Sequence, residues 1–145
     1  MPPDRQAKQR VPAIEGWFTT DETEPHLLGT RCTACGTYFF PPEKLGCRNP
    51  QCQGTDLEEV KLSSRGKVWS YTVNHYAPPP PYVAPEPFEP YGVAAVELAE
   101  EQMVVLGQVA GDPSRLAVGG DAELVVDALY EDEDNEYVVW KWRPL

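Results

Sequence analysis

The chain has 145 residues, with 12 Lys and Arg against 23 Asp and Glu, a formal net charge of -11 and 16 prolines. That length holds one medium domain or two small units and falls short of a complete eight-stranded α/β barrel enzyme. The charge argues against phosphate backbones and anionic lipid as partners, because those surfaces attract Lys and Arg, and proline at about twice the usual ~5% disfavours long helices.

The first segment, residues 1–25, reads as a lead-in that is partly disordered or a short helix. Met1 to Arg10 carries Arg5, Lys8 and Arg10 against Asp4 and has no apolar secretory core. No stretch approaches the ~18 apolar residues of a membrane span. A cytoplasmic protein is expected, and in that reducing compartment four cysteines point to metal rather than disulfides.

Residues 26–56 form the first predicted unit. Cys32-Thr-Ala-Cys35-Gly36 is followed by Cys47-Arg-Asn-Pro-Gln-Cys52. Two close pairs of this kind each make a knuckle whose thiolates converge on one Zn2+, with Tyr38-Phe39-Phe40 as the hairpin stem between them. Gly36 supplies the left-handed backbone that the first knuckle needs. Four thiolates leave no open coordination position, so the expected zinc is structural and carries most of the unit's folding free energy. His26 is not needed as a further ligand.

Residues 57–145 form the second predicted unit, with five strands: Lys67 to Asn74, Tyr91 to Leu98, Met103 to Val109, Asp121 to Leu129 and Tyr137 to Arg143. Each is apolar, rich in β-branched and aromatic residues and bounded by turn residues. Glu100-Glu101-Gln102 closes a hairpin, Gly119-Gly120 a tight turn, and Glu131 to Glu136 an acidic tip. Five short strands suit a small barrel of the oligonucleotide/oligosaccharide-binding (OB) type, with a β-sandwich as the alternative. Asp112-Pro113 allows only a helical turn between the third and fourth strands.

Between the first two strands, seven prolines fall in residues 78–90. Such a run forbids helix and regular sheet and pre-orders an extended chain. Tyr76, Tyr82, Phe88 and Tyr91 are therefore candidate anchors for a partner, the other reading being a stiff crossover with its rings folded on the barrel. Lys61, Arg65 and Lys67 form the one basic island, either a contact for a coenzyme phosphate or simple solvated positions. His75 lies at the end of the first strand, and no serine, cysteine or carboxylate in the local sequence completes a catalytic set with it. Trp140 and Trp142 are expected in core or interface.

Taken in order, these residues resemble the DUF35 family of acyl-CoA-associated proteins. The resemblance covers roughly residues 15–145. It rests on Gly29-Thr-Arg-Cys32-Thr-Ala-Cys35-Gly36 leading into Phe40-Pro41-Pro42, on Gly66-Lys-Val-Trp-Ser-Tyr-Thr-Val73, on Pro90-Tyr-Gly-Val-Ala-Ala-Val-Glu-Leu98 and on Lys141-Trp-Arg-Pro144. Two features depart from the family pattern. The second knuckle has four residues between its cysteines instead of two, and Pro12 and Pro25 limit the Phe-Trp-containing helix that many members carry near Trp17-Phe18.

The resemblance implies an all-β chain, a rubredoxin-like zinc ribbon followed by an OB fold, acting as a non-catalytic subunit. It implies a thiolase-like partner, closest in look to the lipid-transfer-protein-like aldolases of actinobacterial steroid side-chain degradation, in a heterotetramer. There the partner cleaves a β-hydroxyacyl-CoA by retro-aldol chemistry and binds most of the substrate. The alternatives are a free-standing acyl-CoA-binding protein, a scaffold for a thiolase, HMG-CoA synthase or hotdog-fold hydratase, and a nucleic-acid-binding OB protein, against which the charge weighs.

Overall fold

The computed structural model describes residues 8–20, 23–84 and 87–145. The described strands are β1 (Gln9–Pro12), β2 (Leu28–Cys32), β3 (Tyr38–Phe39), β4 (Leu57–Lys61), β5 (Arg65–Asn74), β6 (Tyr91–Leu98), β7 (Met103–Val109), β8 (Asp121–Glu131) and β9 (Asn135–Pro144). Helical structure among the described residues is confined to the single 3-10 turn Pro113–Arg115, started by the Asp112 carboxylate accepting from the Ser114 N–H at 2.9 Å. All five predicted strands form. The last two extend further because the acidic tip narrows to a few residues, where the Asp132 carboxylate accepts from the backbone N–H groups of Asp134 and Asn135.

Strands β5 to β9 close on themselves. Antiparallel β5–β6 and β6–β7 pairs lead to a parallel β7–β9 contact, and β9–β8 and β8–β5 complete the ring. That is the five-stranded OB barrel. Period-two alternation explains its core: Ala94, Val96 and Leu98 of β6 and Val105 of β7 point inward with Leu124, Val138 and Trp142. Trp142 is fully buried against Gly107, where an added Cβ would lie 2.8 Å from the indole. Closure of β5 on its neighbours has the same requirement at Gly66, whose added Cβ would run into the Glu97 carbonyl oxygen. Gly66→Ala is expected to cost about 1–3 kcal/mol by overpacking, read as a lower urea midpoint with an unchanged slope.

The ribbon is a three-stranded sheet in the order β3-β2-β4. Here the expected boundary before Leu57 needs correction. Leu57–Lys61 pairs along the whole of β2, from Cys32↔Leu57 to Leu28↔Lys61, and so belongs to the ribbon's sheet. The chain then enters the barrel through Leu62, which is fully buried and whose N–H donates to the Leu27 carbonyl at 2.9 Å.

The described part of the lead-in also differs from expectation. Residues 8–20 contain no helix: β1 runs parallel along β9, and Phe18 bridges Leu27 as an extended arm. Residues 1–7 lie outside the described residues. The arm is held by rings rather than by local propensity. Trp17 and Phe18 pack with Phe40 of the ribbon around Trp140 of the barrel, at centroid distances of 5.6–6.1 Å. The Trp17–Phe40, Phe18–Trp140 and Phe40–Trp140 contacts are edge-to-face, a geometry that fixes orientation as well as burying area, and ribbon, arm and barrel share one continuous core.

Candidate functional site

The first knuckle begins where β2 delivers Cys32 into the interior. The Gly36 N–H returns to the Cys32 carbonyl at 2.8 Å, with Gly36 at φ +79°, a conformation glycine adopts without strain. In the second knuckle the Cys52 N–H donates to the Asn49 carbonyl at 2.9 Å, and the Asn49 and Gly54 N–H groups each point at a sulfur, Cys47 and Cys52, at 3.4 Å. The two extra residues of this knuckle are absorbed in the Asn49 turn, where Asn49 Oδ1 accepts from the Gln51 N–H. Gly54 must be glycine, because an added Cβ would sit 2.9 Å from the Cys32 sulfur.

These turns bring the sulfurs of Cys32, Cys35, Cys47 and Cys52 within 4.8 Å of one another. The Cys32–Cys52 and Cys35–Cys47 pairs stand at 3.8 and 3.6 Å. A tetrahedral zinc with Zn–S bonds of about 2.3 Å requires sulfurs about 3.8 Å apart, so the cluster fits the ion. Its electrostatics call for one. The Thr37 hydroxyl and N–H hold the Cys35 thiol down to about 6. Cys47 receives the Asn49 N–H, yet burial and the neighbouring thiols push it up to about 12, and Cys52 is raised in the same way against the Gly54 N–H. Four adjacent thiolates need a cation among them, which one Zn2+ supplies as a structural centre.

The aromatic anchors divide. Tyr76 is 73% exposed beside β5. Tyr82 and Phe88 instead fold onto Tyr91, stacked at 5.8 Å and edge-on at 6.2 Å. Gln108 donates to the Tyr82 hydroxyl at 3.4 Å, and Asn74 donates to that of Tyr91 at 2.8 Å. The prolines thus hold three rings down on the outside of the barrel. Burial raises the Tyr82 phenol above its usual value. Pro85 and Glu86 of this loop lie outside the described residues.

The basic island is divided as well. Arg65 and Lys67 line one cavity of about 410 Å3 with Glu97 and Asp121. Lys67 pairs with Asp121 at 2.9 Å, while Arg65 lies 3.7 Å from Glu123, a carboxylate it shares with Arg143, and Glu97 adds a further acid to the same wall. Lys61 sits apart from them in β4. His75 is exposed, and His26 Nδ1 lies 2.8 Å from the Leu62 carbonyl at the ribbon–barrel junction.

One surface was not anticipated. Trp69 is 62% exposed and Leu106 63% exposed, with Val104 beside them on the outer face of β5–β7. Strict alternation puts Trp69 on the side of Tyr71 and Val73. A bulge between Val68 and Ser70 breaks that register. The available signal was β7 itself: Met103-Val-Val-Leu is apolar on both faces, although only one of them can face the barrel core.

Comparison with known proteins matches residues 21–58 to the family model described as the rubredoxin-like zinc ribbon domain of ChsH2, and residues 59–127 to its C-terminal OB-fold domain. Over 126 residues the chain is 37% identical to the DUF35 domain-containing scaffold protein of Methanocaldococcus jannaschii, covering 82% of each. This chain belongs to the DUF35 family. The DUF35 chain is also 30% identical to the benzoylsuccinyl-CoA thiolase subunit BbsA of Thauera aromatica, over 86% of this chain and 81% of that one. Among solved structures it is similar to a chain of the Ltp2-ChsH2(DUF35) aldolase, with a TM-score of 0.59 and 32% identity over 82% of this chain and 84% of that one. No helix among the described residues of the DUF35 chain is long and apolar enough to cross a membrane.

Proposed function

We propose that this chain is the non-catalytic subunit of a thiolase-fold acyl-CoA enzyme, which it binds and whose acyl-CoA cleft it helps to wall. The observation that carries the reading is the likeness to the Ltp2-ChsH2(DUF35) aldolase, which spans most of both chains. In its finer form the partner is an aldolase cleaving a steroid side-chain β-hydroxyacyl-CoA by a retro-aldol step, in a cytoplasmic heterotetramer. The partner then supplies the reacting groups. This subunit contributes shape: a bulky acyl chain needs a wall that excludes water and holds the scissile bond in place.

The interface in this reading is the outer face of β5–β7 together with the Pro-rich loop, residues 75–90. Exposed apolar area of this kind marks association surfaces, and Trp and Tyr are enriched among the residues that dominate binding. Trp69, Leu106 and Tyr76 touch the partner directly, whereas Tyr82, Phe88 and Tyr91 brace the loop that presents it. Coenzyme A is bound mainly by the partner, since Asp121 holds Lys67 and the wall that carries Arg65 is also lined by Glu97 and by Glu123, which Arg65 shares with Arg143.

The test is co-expression with a thiolase-like subunit, co-purification, and thioester cleavage with and without this chain. Trp69→Ala combined with Leu106→Ala is expected to weaken the complex by about thirtyfold or more, the effect of losing one dominant contact, while leaving zinc content unchanged. Wild-type affinity in that variant removes this face from the interface. Efficient turnover by the isolated chain defeats the subunit reading altogether.

A further inference from the structure

The four zinc ligands are not equally reachable. Cys32 is fully buried, Cys47 and Cys52 are half-buried, and Cys35 is exposed. The order follows from where the knuckles place them. β2 carries Cys32 into the ribbon's interior, where Gly54 packs so close that an added Cβ would lie 2.9 Å from its sulfur. Three residues on, past the turn, Cys35 lines a cleft of about 320 Å3 together with Gly36, Thr37 and the β6–β7 turn.

Oxidation of cysteine follows thiolate character and access. Zinc ligation gives all four sulfurs the first, and Cys35 has the most of the second. A second sulfur stands ready: that of Cys47, on the opposite knuckle, lies 3.6 Å away and is itself partly accessible. The surroundings select the oxidant. Glu100 lines the cleft, a zinc ion among four thiolates keeps a net negative charge, and Arg31 beside Gly36 is paired with Glu58 at 3.3 Å. Anionic oxidants are repelled there, whereas a peroxide is small and uncharged.

We propose that Cys35 is a peroxide-oxidation site and that Cys47 resolves it, so that oxidation discharges the zinc and opens the ribbon. The Cys35 thiolate attacks one peroxide oxygen and becomes a sulfenic acid as hydroxide leaves. The Cys47 thiolate then attacks the Cys35 sulfur, forming the disulfide and expelling a second hydroxide. Two electrons pass from the sulfurs to the peroxide, and Zn2+ goes to solvent. Only Cys32 and Cys52, 3.8 Å apart, remain as thiolates, too few ligands for a structural site. The ribbon then loses its staple, and Phe40 withdraws from Trp17 and Trp140. None of this depends on the subunit reading.

The test uses the full zinc-loaded chain and hydrogen peroxide. Excess peroxide is expected to release one zinc per chain, read with a chromogenic chelator, while tryptophan emission shifts to the red. Peptide mass spectrometry is expected to find Cys35 joined to Cys47, and reductant with added zinc to restore the starting spectrum. Retained zinc, or a disulfide that leaves Cys35 free, overturns the proposal.

A second arm separates Cys35 from zinc ligands in general. Cys35→His keeps a four-ligand site of the Cys3His type and is expected to lose zinc to peroxide at least about tenfold more slowly, because the remaining thiolates lack its access. Cys52→His is expected to lose it at about the wild-type rate. Wild-type release in Cys35→His, or equal slowing in the two variants, overturns the assignment. Where either variant does not hold zinc, dimedone, which caps sulfenic acids, is added to the wild type at early times. An adduct on Cys35 is then the expected result, and one on Cys47 or Cys52 in its place overturns the proposal.

Discussion

Stripping the metal with a chelator under reducing conditions is expected to release one zinc per chain and to unfold residues 28–61 while the barrel stays folded. The ribbon's sheet has little apolar burial of its own. Gly29, Thr30 and Cys32 of β2 are buried, but β4 sets the exposed pair Glu58 and Glu59 between half-buried Leu57 and Val60, and β3 has two residues. A unit this small does not outweigh its chain entropy without a staple. Structural zinc supplies about 10–16 kcal/mol in isolated fingers at neutral pH, more than such a sheet has to spare. The barrel keeps Val96, Leu98, Val105, Leu124 and Trp142, which do not depend on the knuckles. Hydrogen exchange distinguishes the two: β2 and β4 amides lose protection and β6 amides keep it. Tryptophan emission should also shift to the red, because Phe40 leaves Trp17 and Trp140. Acid should act in the same direction. Binding requires thiolates, so zinc affinity falls as pH drops and protons compete for sulfur, and it recovers as pH rises. Full protection of β2 in zinc-free protein would refute the assignment.

What the sequence made legible is the chemistry that sits in short segments. Both knuckles, the strands of the barrel and the acidic tip follow from spacing and alternation alone. What it concealed depends on partners distant along the chain. Leu57-Glu-Glu-Val-Lys61 has apolar residues three apart rather than two, so it reads as a linker, and only its pairing with β2 makes it a strand. Trp17-Phe18 carries no local signal for an extended arm, and its conformation is set by Trp140, far along the chain. Lys67 reads as an unpaired base until closure of the barrel brings Asp121 beside it. The Trp69 bulge belongs to the same class, since a single inserted residue is invisible to a period-two pattern and reverses which face the side chain meets. Glu101 reads as one more solvated acid in a turn, and its burial becomes evident only when Ser63 is placed against it.

Trp142→Ala is expected to cost about 3–5 kcal/mol, within the range for removing a large buried aromatic side chain, and to abolish the barrel at physiological temperature. Trp142 is fully buried at the seam where β9 lies parallel to β7, through Val109↔Trp142, and antiparallel to β8, through Leu124↔Trp142. It therefore fills the closure of the ring. The fit is close: Gly107 gives it room, and its Nε1–H donates to the Val105 carbonyl at 3.2 Å. Trp142→Phe separates the contributions, keeping most of the apolar contact while losing the hydrogen bond and part of the volume, and should cost about 1–3 kcal/mol. Because β7 carries Val104 and Leu106 on its outer side, loosening this seam disorders the proposed partner face from within. Loss of complex should then track loss of stability across the two variants. A Trp142→Ala chain with native urea stability and native affinity for its partner would show that barrel closure does not depend on this residue. The outer face would then have to be held by the β5–β6–β7 hairpins alone.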